Sequence, residues 1–203
     1  MKRFICLFGL LMVALLAACG TTQLKASWKD PGYHGQPFKI MVIGVAKNPL
    51  NRRIFEDEFV RQLNAHGVRG IASYTVLSDR AQDDRYAIAD RVRELGADTV
   101  LVTRLVSQKT VQVYVPGTPY FPPPYYATWQ DYYLYGYQNP YVPGHMAEDE
   151  YAVIESNLYE AGNDKLIWAA SSETVLGGSN EQLIRSYIVT MVNAMVEQGL
   201  LSR

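Results

Sequence analysis

The amino-acid sequence predicts an α/β domain in which parallel strands follow a βαβαβ order, a β-hairpin adds antiparallel strands to the same sheet, and a C-terminal helix closes the fold. Three observations predict it. Apolar runs rich in β-branched residues alternate with amphipathic helical stretches, as right-handed strand–helix–strand crossovers require. Two more strand-like runs follow, separated only by residues 160–164. The last stretch has apolar residues at helical spacing behind a Ser179-x-x-Gln182 capping pattern.

The first βα unit begins with an apolar strand at residues 38–45. Asn48 is typical of a helix N-cap, and proline follows it at the first helical position. The helix is expected to end near His66, with Gly67 as its C-cap. Its apolar side chains recur every four residues and predict a buried stripe: Phe55, Phe59 and Leu63.

The next elements repeat this order, with a strand at 71–77, a helix that stops at Gly96 and a strand at 99–107. That helix carries one apolar stripe: Ile88, Val92 and Leu95. Alternating valines then predict a half-exposed extension of the last strand: Val111, Val113 and Val115. The hairpin is expected at 151–159 and 165–175. The closing helix turns five residues to the core: Leu183, Tyr187, Ile188, Met191 and Met195.

Residues 1–18 have the order of a secretory signal peptide. Lys2 and Arg3 precede an uninterrupted apolar run and two small residues. The run of about 13 residues is shorter than the roughly 20 that a membrane-spanning helix needs. Leu-Ala-Ala-Cys at residues 16–19 resembles the lipobox of bacterial lipoproteins; an ordinary signal peptide with a chance cysteine is the alternative.

The lipobox resemblance implies cleavage before Cys19, diacylation of its sulfur and acylation of the new amino terminus. Several acyl chains anchor a protein firmly. Gly20, and not aspartate, follows the cysteine, which by the same resemblance implies the bacterial outer membrane, with the domain facing the periplasm. Residues 19–36 are mostly small and polar and are interpreted as a lipidated tether, which leaves 37–203 as a single α/β domain.

Composition excludes several classes of function. Without residues 1–18, 17 basic side chains face 20 acidic ones, for a net charge of −3, and no basic run suggests nucleic-acid binding. The chain has two cysteines. The lipobox resemblance implies that Cys6 leaves with the signal and that Cys19 carries lipid. No thiol then remains for a disulfide, a nucleophile or a metal site, and no cofactor is expected.

Residues 114–145 form the one unusual segment. They hold nine of the 15 tyrosines and seven of the 10 prolines, with Asp131 as the only formal charge. The prolines exclude a long helix or a central strand. One interpretation is a loop that binds a protein, a glycan, a membrane interface or another copy of this chain; the other is a lid on its own domain or a mobile insert. The candidate partner-binding residues are Tyr120, Phe121, Tyr125, Tyr126, Trp129, Tyr132, Tyr133, Tyr135, Tyr137 and Tyr141.

Chemically reactive patterns are sparse in this sequence. The three histidines lack metal-ligand spacing, and no catalytic constellation can be assembled, so neither a catalytic nor a metal site is expected. Arg52 and Arg53, at the start of the first helix, have two interpretations. They are either compensated by Glu56 and Asp57 four residues on, or an anion-binding patch at the carboxyl end of the first strand.

Three motifs carry a family resemblance: R-R-x-F-E at 52–56, G-A-D-x-V-L-V at 96–102 and L-I-W-A at 166–169. With the lipobox, the sequence resembles bacterial lipoproteins with a domain of unknown function. More distantly, it is similar to the curli-secretion lipoprotein, the penicillin-binding-protein activator lipoproteins and the amino-terminal domain of the Tol-system β-propeller protein. The resemblance implies a scaffold or partner-binding role at the envelope, without catalysis. The Tyr/Pro-rich segment departs from this pattern, so the resemblance does not identify a partner.

The sequence therefore leads to the expectation of a non-catalytic envelope lipoprotein. Its expected partners are the membrane, through the lipid, and an envelope protein or another copy of itself. A glycan- or peptidoglycan-binding module is the first alternative, and an envelope hydrolase is the second.

Overall fold

The computed structural model describes residues 21–78, 84–117 and 142–202, together with residues 128, 130 and 138. The chain divides into two compact units. One comprises Met1–Lys109 and Tyr151–Arg203, and the other comprises Thr110–Glu150.

The described residues form one six-stranded sheet with the order β1-β6-β5-β4-β2-β3. Its strands are β1 (Thr22–Lys29), β2 (Lys39–Val45), β3 (Arg69–Ala72), β4 (Thr99–Val115), β5 (His145–Glu160) and β6 (Leu166–Val175). β2 is parallel to both β3 and β4, whereas β6 is antiparallel to β1 and β5. The predicted α/β fold, with parallel strands, an added hairpin and a closing helix, is confirmed.

Three α-helices lie in the described part of the chain: α1 (Pro49–Ala65), α2 (Arg85–Leu95) and α3 (Asn180–Glu197). Their ends follow the local rules that the sequence indicated. Asn48 caps α1 by accepting hydrogen bonds from the amides of Leu50 and Asn51. Ser179 and Gln182 form both bonds of the capping box on α3. Gly96 ends α2 with a φ of 61°, a left-handed conformation that glycine adopts without a steric penalty.

Two apolar clusters cover opposite faces of the sheet. Ile40 and Val42 of β2 point towards α1 and α3 and belong to the larger cluster. Met41, the intervening residue, belongs to the smaller cluster, which includes Val92 of α2. The alternation of side chains along a strand produces this division. The helix α1 buries Phe59 and Leu63 completely, as its four-residue spacing predicted, and Phe55 packs against the same cluster.

The region expected to be a tether contains a strand. Residues 22–29 form β1, which pairs along β6 from Thr22 opposite Thr174 to Lys29 opposite Trp168. A register shift between Leu24 and Ala26 interrupts the ladder. Most of this edge strand is exposed, so its sequence needs few apolar residues and resembles a linker.

Two other element bounds differ from the expectation. The strand expected at 71–77 ends at Ala72, and Ser73–Thr75 form a 3₁₀ turn, because the Tyr74 amide and the Ser73 hydroxyl donate to Glu56 of α1. The strand expected at 151–159 begins earlier, at His145, where it neighbours β4. The acidic run at 148–150 concealed this extension, since charged residues are uncommon in strands.

Candidate binding site

A buried ion pair joins the first helix to the end of the first parallel strand. Arg52 is 3% exposed and Glu56 is 0% exposed. Arg52 Nε donates to Glu56 Oε1 at 3.0 Å, and Arg52 Nη2 donates to Ser73 Oγ at 2.8 Å. The expected compensation between these two residues is therefore present, but in the interior and not on a solvated helix face.

The Glu56 carboxylate accepts three more hydrogen bonds. The Gly44 amide donates at 3.0 Å, the Ser73 hydroxyl at 2.7 Å and the Tyr74 amide at 2.9 Å. A buried carboxylate is tolerated when its lone pairs are satisfied in this way. Glu56 thus fixes the carboxyl end of β2, the 3₁₀ turn and the first turns of α1 relative to one another.

Gly44 allows the close approach between β2 and α1. A Cβ at this position would lie 2.8 Å from Phe55 Cδ1, closer than side chains pack. The spacing of residues along the chain does not indicate this contact, because it depends on how α1 packs on β2.

Arg53 has a different environment from Arg52. Its guanidinium lies 5.6 Å from the centre of the Tyr74 ring, an arrangement typical of a cation–π contact. The Tyr74 hydroxyl donates to Asp57 Oδ1 at 2.7 Å, and this hydrogen bond is the main reason that the pKa of Tyr74 is raised. Arg52 is buried and Arg53 is exposed, so the two guanidinium groups do not form one surface patch. Anion binding by Arg53 stays a prediction.

A cleft of about 240 Å³ opens between α1, α3, the carboxyl end of β2 and residues 103–108 of β4, where the parallel pairing of the two strands ends. Ligands of α/β proteins are commonly bound at this end of the parallel strands. The side chains that line it are mainly apolar and include Val45, Phe55, Leu105, Ile154, Leu183 and Ile184. We refer to this cavity as the apolar cleft.

Three hydroxyl groups form a chain at the base of the apolar cleft. The hydroxyl oxygens of Ser156 and Tyr187 are 2.6 Å apart, and those of Ser156 and Thr103 are 2.5 Å apart. Burial raises the pKa of Tyr187, so its phenol remains neutral at physiological pH and well into the alkaline range. The base of the cleft is therefore uncharged and internally hydrogen-bonded. The sequence predicted Tyr187 only as a core residue. Its polar partners, Thr103 and Ser156, lie on two other elements that are far from it along the chain.

The rim of the apolar cleft combines two helix starts with exposed apolar side chains. Asn180 Nδ2 at the start of α3 lies 3.5 Å from Asn51 Oδ1 in the first turn of α1. Val45 and Leu105, which also line the cleft, are 59% and 51% exposed. Large apolar residues that cluster beside an apolar cavity are typical of a binding site.

The second compact unit contains a two-stranded element that we call the stem, residues 110–117 and 142–150. Gln112 Nε2 donates to Glu148 Oε1 at 3.4 Å across it. Six apolar side chains of the stem are between 37% and 63% exposed: Val111, Val113, Tyr114, Val115, Val142 and Met146. A Cβ on Gly117 would overlap the Val142 carbonyl and the Gly144 amide, so the backbones meet there. The stem thus holds residues 117 and 142 side by side.

The remaining residues predicted for a site lie outside the described part of the chain. Cys19 is one of them, and the others are the ten aromatic residues of the Tyr/Pro-rich segment, from Tyr120 to Tyr141. Their roles stay predictions. Within the described residues, no three His, Cys, Asp or Glu side chains converge as metal ligands would. The described helices also include none that is long and apolar enough to span a membrane.

Comparisons with known proteins show limited similarity. No protein-family model matches this chain, and no curated protein matches it. The PelC dodecamer from Paraburkholderia phytofirmans has 13% identity and a TM-score of 0.45, with 90% of this chain and 99% of that chain covered. Lipoprotein GNA1162 from Neisseria meningitidis has 14% identity and a TM-score of 0.44, with coverages of 79% and 99%. A PDZ domain protein from Parabacteroides distasonis has 10% identity and a TM-score of 0.37, with coverages of 92% and 38%.

Proposed function

We propose that this chain is a lipid-anchored lipoprotein of the bacterial envelope whose domain is a non-catalytic module for binding a protein partner or a second copy of itself. Cys19 carries the anchor. The stem and the Tyr/Pro-rich segment that it holds form the binding element.

The exposed apolar surface of the stem carries this proposal. Six apolar residues, including three valines of β4, remain more than one-third exposed. Isolated two-stranded ribbons are marginally stable in water, and contiguous exposed apolar side chains are typical of interaction surfaces. A partner that covers these side chains would remove apolar area from water, which is the dominant favourable contribution to association.

The contact between Gly117 and Val142 supports a binding role for the segment between them. Because the stem brings these two residues together, both ends of the intervening segment are fixed at one place in the described structure. Tyrosines supply large contact areas at a small cost in conformational entropy and keep a hydroxyl for hydrogen bonding. The segment concentrates nine tyrosines in 32 residues, 114–145.

The chemistry of the apolar cleft supports a non-catalytic role. Of the ionic side chains that line it, Arg52 hydrogen-bonds to Glu56 and Ser73, and Arg104 pairs with Glu155. Its hydroxyl groups donate to and accept from one another. These partners hold the fold together, and within the described residues they do not form an acid–base pair aimed into the cleft.

The double substitution Val111→Thr and Val113→Thr tests the binding surface. Threonine keeps the β-branched shape that favours strands and adds a hydroxyl that opposes burial. In the lipidated full-length protein, we expect the variant to lose its oligomers in light scattering or its protein crosslinks in the envelope. Val106→Thr, on the same strand but outside the stem, is the matched control and should retain both. An unchanged oligomeric state together with unchanged crosslinks in the double variant would contradict the proposal. Retention of the wild-type protein on purified sacculi, in the absence of protein crosslinks, would favour glycan binding.

A further inference from the structure

The lipid attachment point is close to the apolar cleft. The Thr21 carbonyl accepts a hydrogen bond of 2.9 Å from the Val175 amide at the end of β6. Cys19 precedes Thr21 by two residues, and a fully extended chain spans at most about 3.3–3.6 Å per residue. Covalent geometry therefore keeps the Cα atom of Cys19 within about 7 Å of Thr21.

Residues on both sides of Val175 line the apolar cleft. Thr174 and Leu176 contribute to its wall, together with Leu183 and Ile184 of α3. The lipid on Cys19 is consequently attached near the cleft, whereas a tether extending to residue 36 would have allowed it to lie far away. The pairing of β1 with β6 is what imposes this proximity.

The lining of the cleft suits a hydrocarbon chain. Its walls are mainly apolar, and the hydroxyl chain at its base is already satisfied by its own hydrogen bonds. An acyl chain has no polar groups that would need partners inside a protein, so its burial leaves nothing unsatisfied. The exposed Val45 and Leu105 extend the apolar surface from the cleft to solvent.

We propose that the apolar cleft holds part of one acyl chain of the lipid on Cys19. This inference depends on the lipidation in the proposed function and adds a role for the cleft. Burial of methylene groups is favourable from water but offers little gain from a bilayer, since lipid tails are as apolar as the cleft. The cleft should therefore be occupied when the lipoprotein is in water and give up the chain when it inserts into a membrane. Such a site shields the anchor while the protein crosses an aqueous compartment.

Photocrosslinking of the intact lipoprotein tests this site directly. Cells that express the full-length protein are grown with a diazirine-labelled fatty acid, and the purified lipoprotein is irradiated first in detergent-free buffer and then in phospholipid nanodiscs. Mass spectrometry then identifies the crosslinked peptides. We expect the Cys19 lipid to be joined to residues 44–55 or 174–184 in buffer, and this product to decrease in nanodiscs. Crosslinks from Cys19 to other regions alone, or phospholipid adducts in the cleft in place of its own lipid, would overturn the inference.

Two matched alanine-to-tryptophan variants control for folding and position. Ala46 is exposed and lines the cleft, so Ala46→Trp should fill it and abolish the crosslink. Ala89 is exposed on α2 and lines a different groove, so Ala89→Trp should leave the crosslink unchanged. A crosslink that persists in folded Ala46→Trp contradicts the inference. Cys19 without lipid in the intact mass contradicts the anchored function itself, whereas lipidated Cys19 without a cleft crosslink contradicts only the acyl-chain site.

Discussion

Arg52 Nε lies 3.0 Å from Glu56 Oε1, one helical turn further along α1, and both side chains are buried. The pair is also hydrogen-bonded to groups from β2 and from the 3₁₀ turn. Its stability therefore depends on both partners being present. Removal of one partner leaves an uncompensated charge in the interior.

Glu56→Gln should be strongly destabilising. The neutral amide cannot compensate the buried Arg52 guanidinium, and the cost of breaking such a buried pair is about 3–5 kcal/mol. Urea unfolding measures the change in the free energy of unfolding. The control is Glu94→Gln, which removes one partner of an exposed Arg91–Glu94 pair and should cost less than about 1 kcal/mol. Equal effects of the two substitutions would show that the buried pair contributes no more than a surface pair.

Gly44→Ala should destabilise the packing of α1 on β2. The new methyl group would lie 2.8 Å from Phe55 Cδ1, and overpacking of this kind costs about 1–3 kcal/mol. Gly162→Ala is the matched control, because a Cβ there meets no atom within 4 Å and its φ is not positive. Thermal unfolding of the two variants should separate them, and a Gly44→Ala protein as stable as the wild type would contradict the close approach.

The substitution Tyr187→Phe should reduce the decrease in the free energy of unfolding that occurs at alkaline pH. Burial raises the pKa of Tyr187 in the folded state, whereas a tyrosine in the unfolded chain ionises near pH 10, roughly its ordinary value. Above that pH the unfolded state releases a proton that the folded state retains, so stability falls as the pH rises. Urea unfolding between about pH 9 and 11 should show a smaller decrease for the variant. If stability decreases equally with pH in the two proteins, the pKa of Tyr187 is not raised in the folded state.

Tyr187→Phe should have a moderate effect at neutral pH. The substitution removes one hydroxyl from the chain with Ser156 and Thr103, which still hydrogen-bond to each other. We therefore expect a loss of about 0.5–1.5 kcal/mol, the usual contribution of one hydrogen bond. Urea unfolding at pH 7 measures it, and this value is the reference for the alkaline series.

Hydrogen exchange should distinguish a strand from a tether at residues 22–29. Amides of β1 that are bonded to β6 should be protected, since opening them requires the edge strand to detach. Residues 31–37, which have no regular strand or helix, provide the internal comparison and should exchange faster. Uniformly fast exchange from residue 22 to residue 37 would restore the tether interpretation and would remove the basis for placing the lipid beside the apolar cleft.

The sequence revealed the features that depend on neighbouring residues. Helix ends at Asn48, Gly96 and Ser179 follow from capping chemistry within four residues of the chain. The parallel order of β2, β3 and β4 follows from the alternation of strands and helices, because crossover connections have a fixed handedness.

Features that depend on distant partners were not visible in the sequence. The strand β1 exists because β6, about 150 residues later, supplies its hydrogen bonds, as in the pairing of Thr22 with Thr174. Arg52 and Glu56 have the spacing of a surface pair, and only the contacts with Gly44 and Ser73 place them in the interior. The Thr103–Ser156–Tyr187 chain likewise joins three separate elements.

The meeting of Gly117 with Val142 and Gly144 makes the length of the intervening segment independent of the rest of the fold. Insertions, deletions or whole replacements between residues 118 and 141 leave both ends of the stem where they are. A segment of different sequence joined at the same two residues should therefore leave the described fold unchanged. The same junction offers an engineer a site for grafting a foreign epitope or an affinity peptide onto this scaffold.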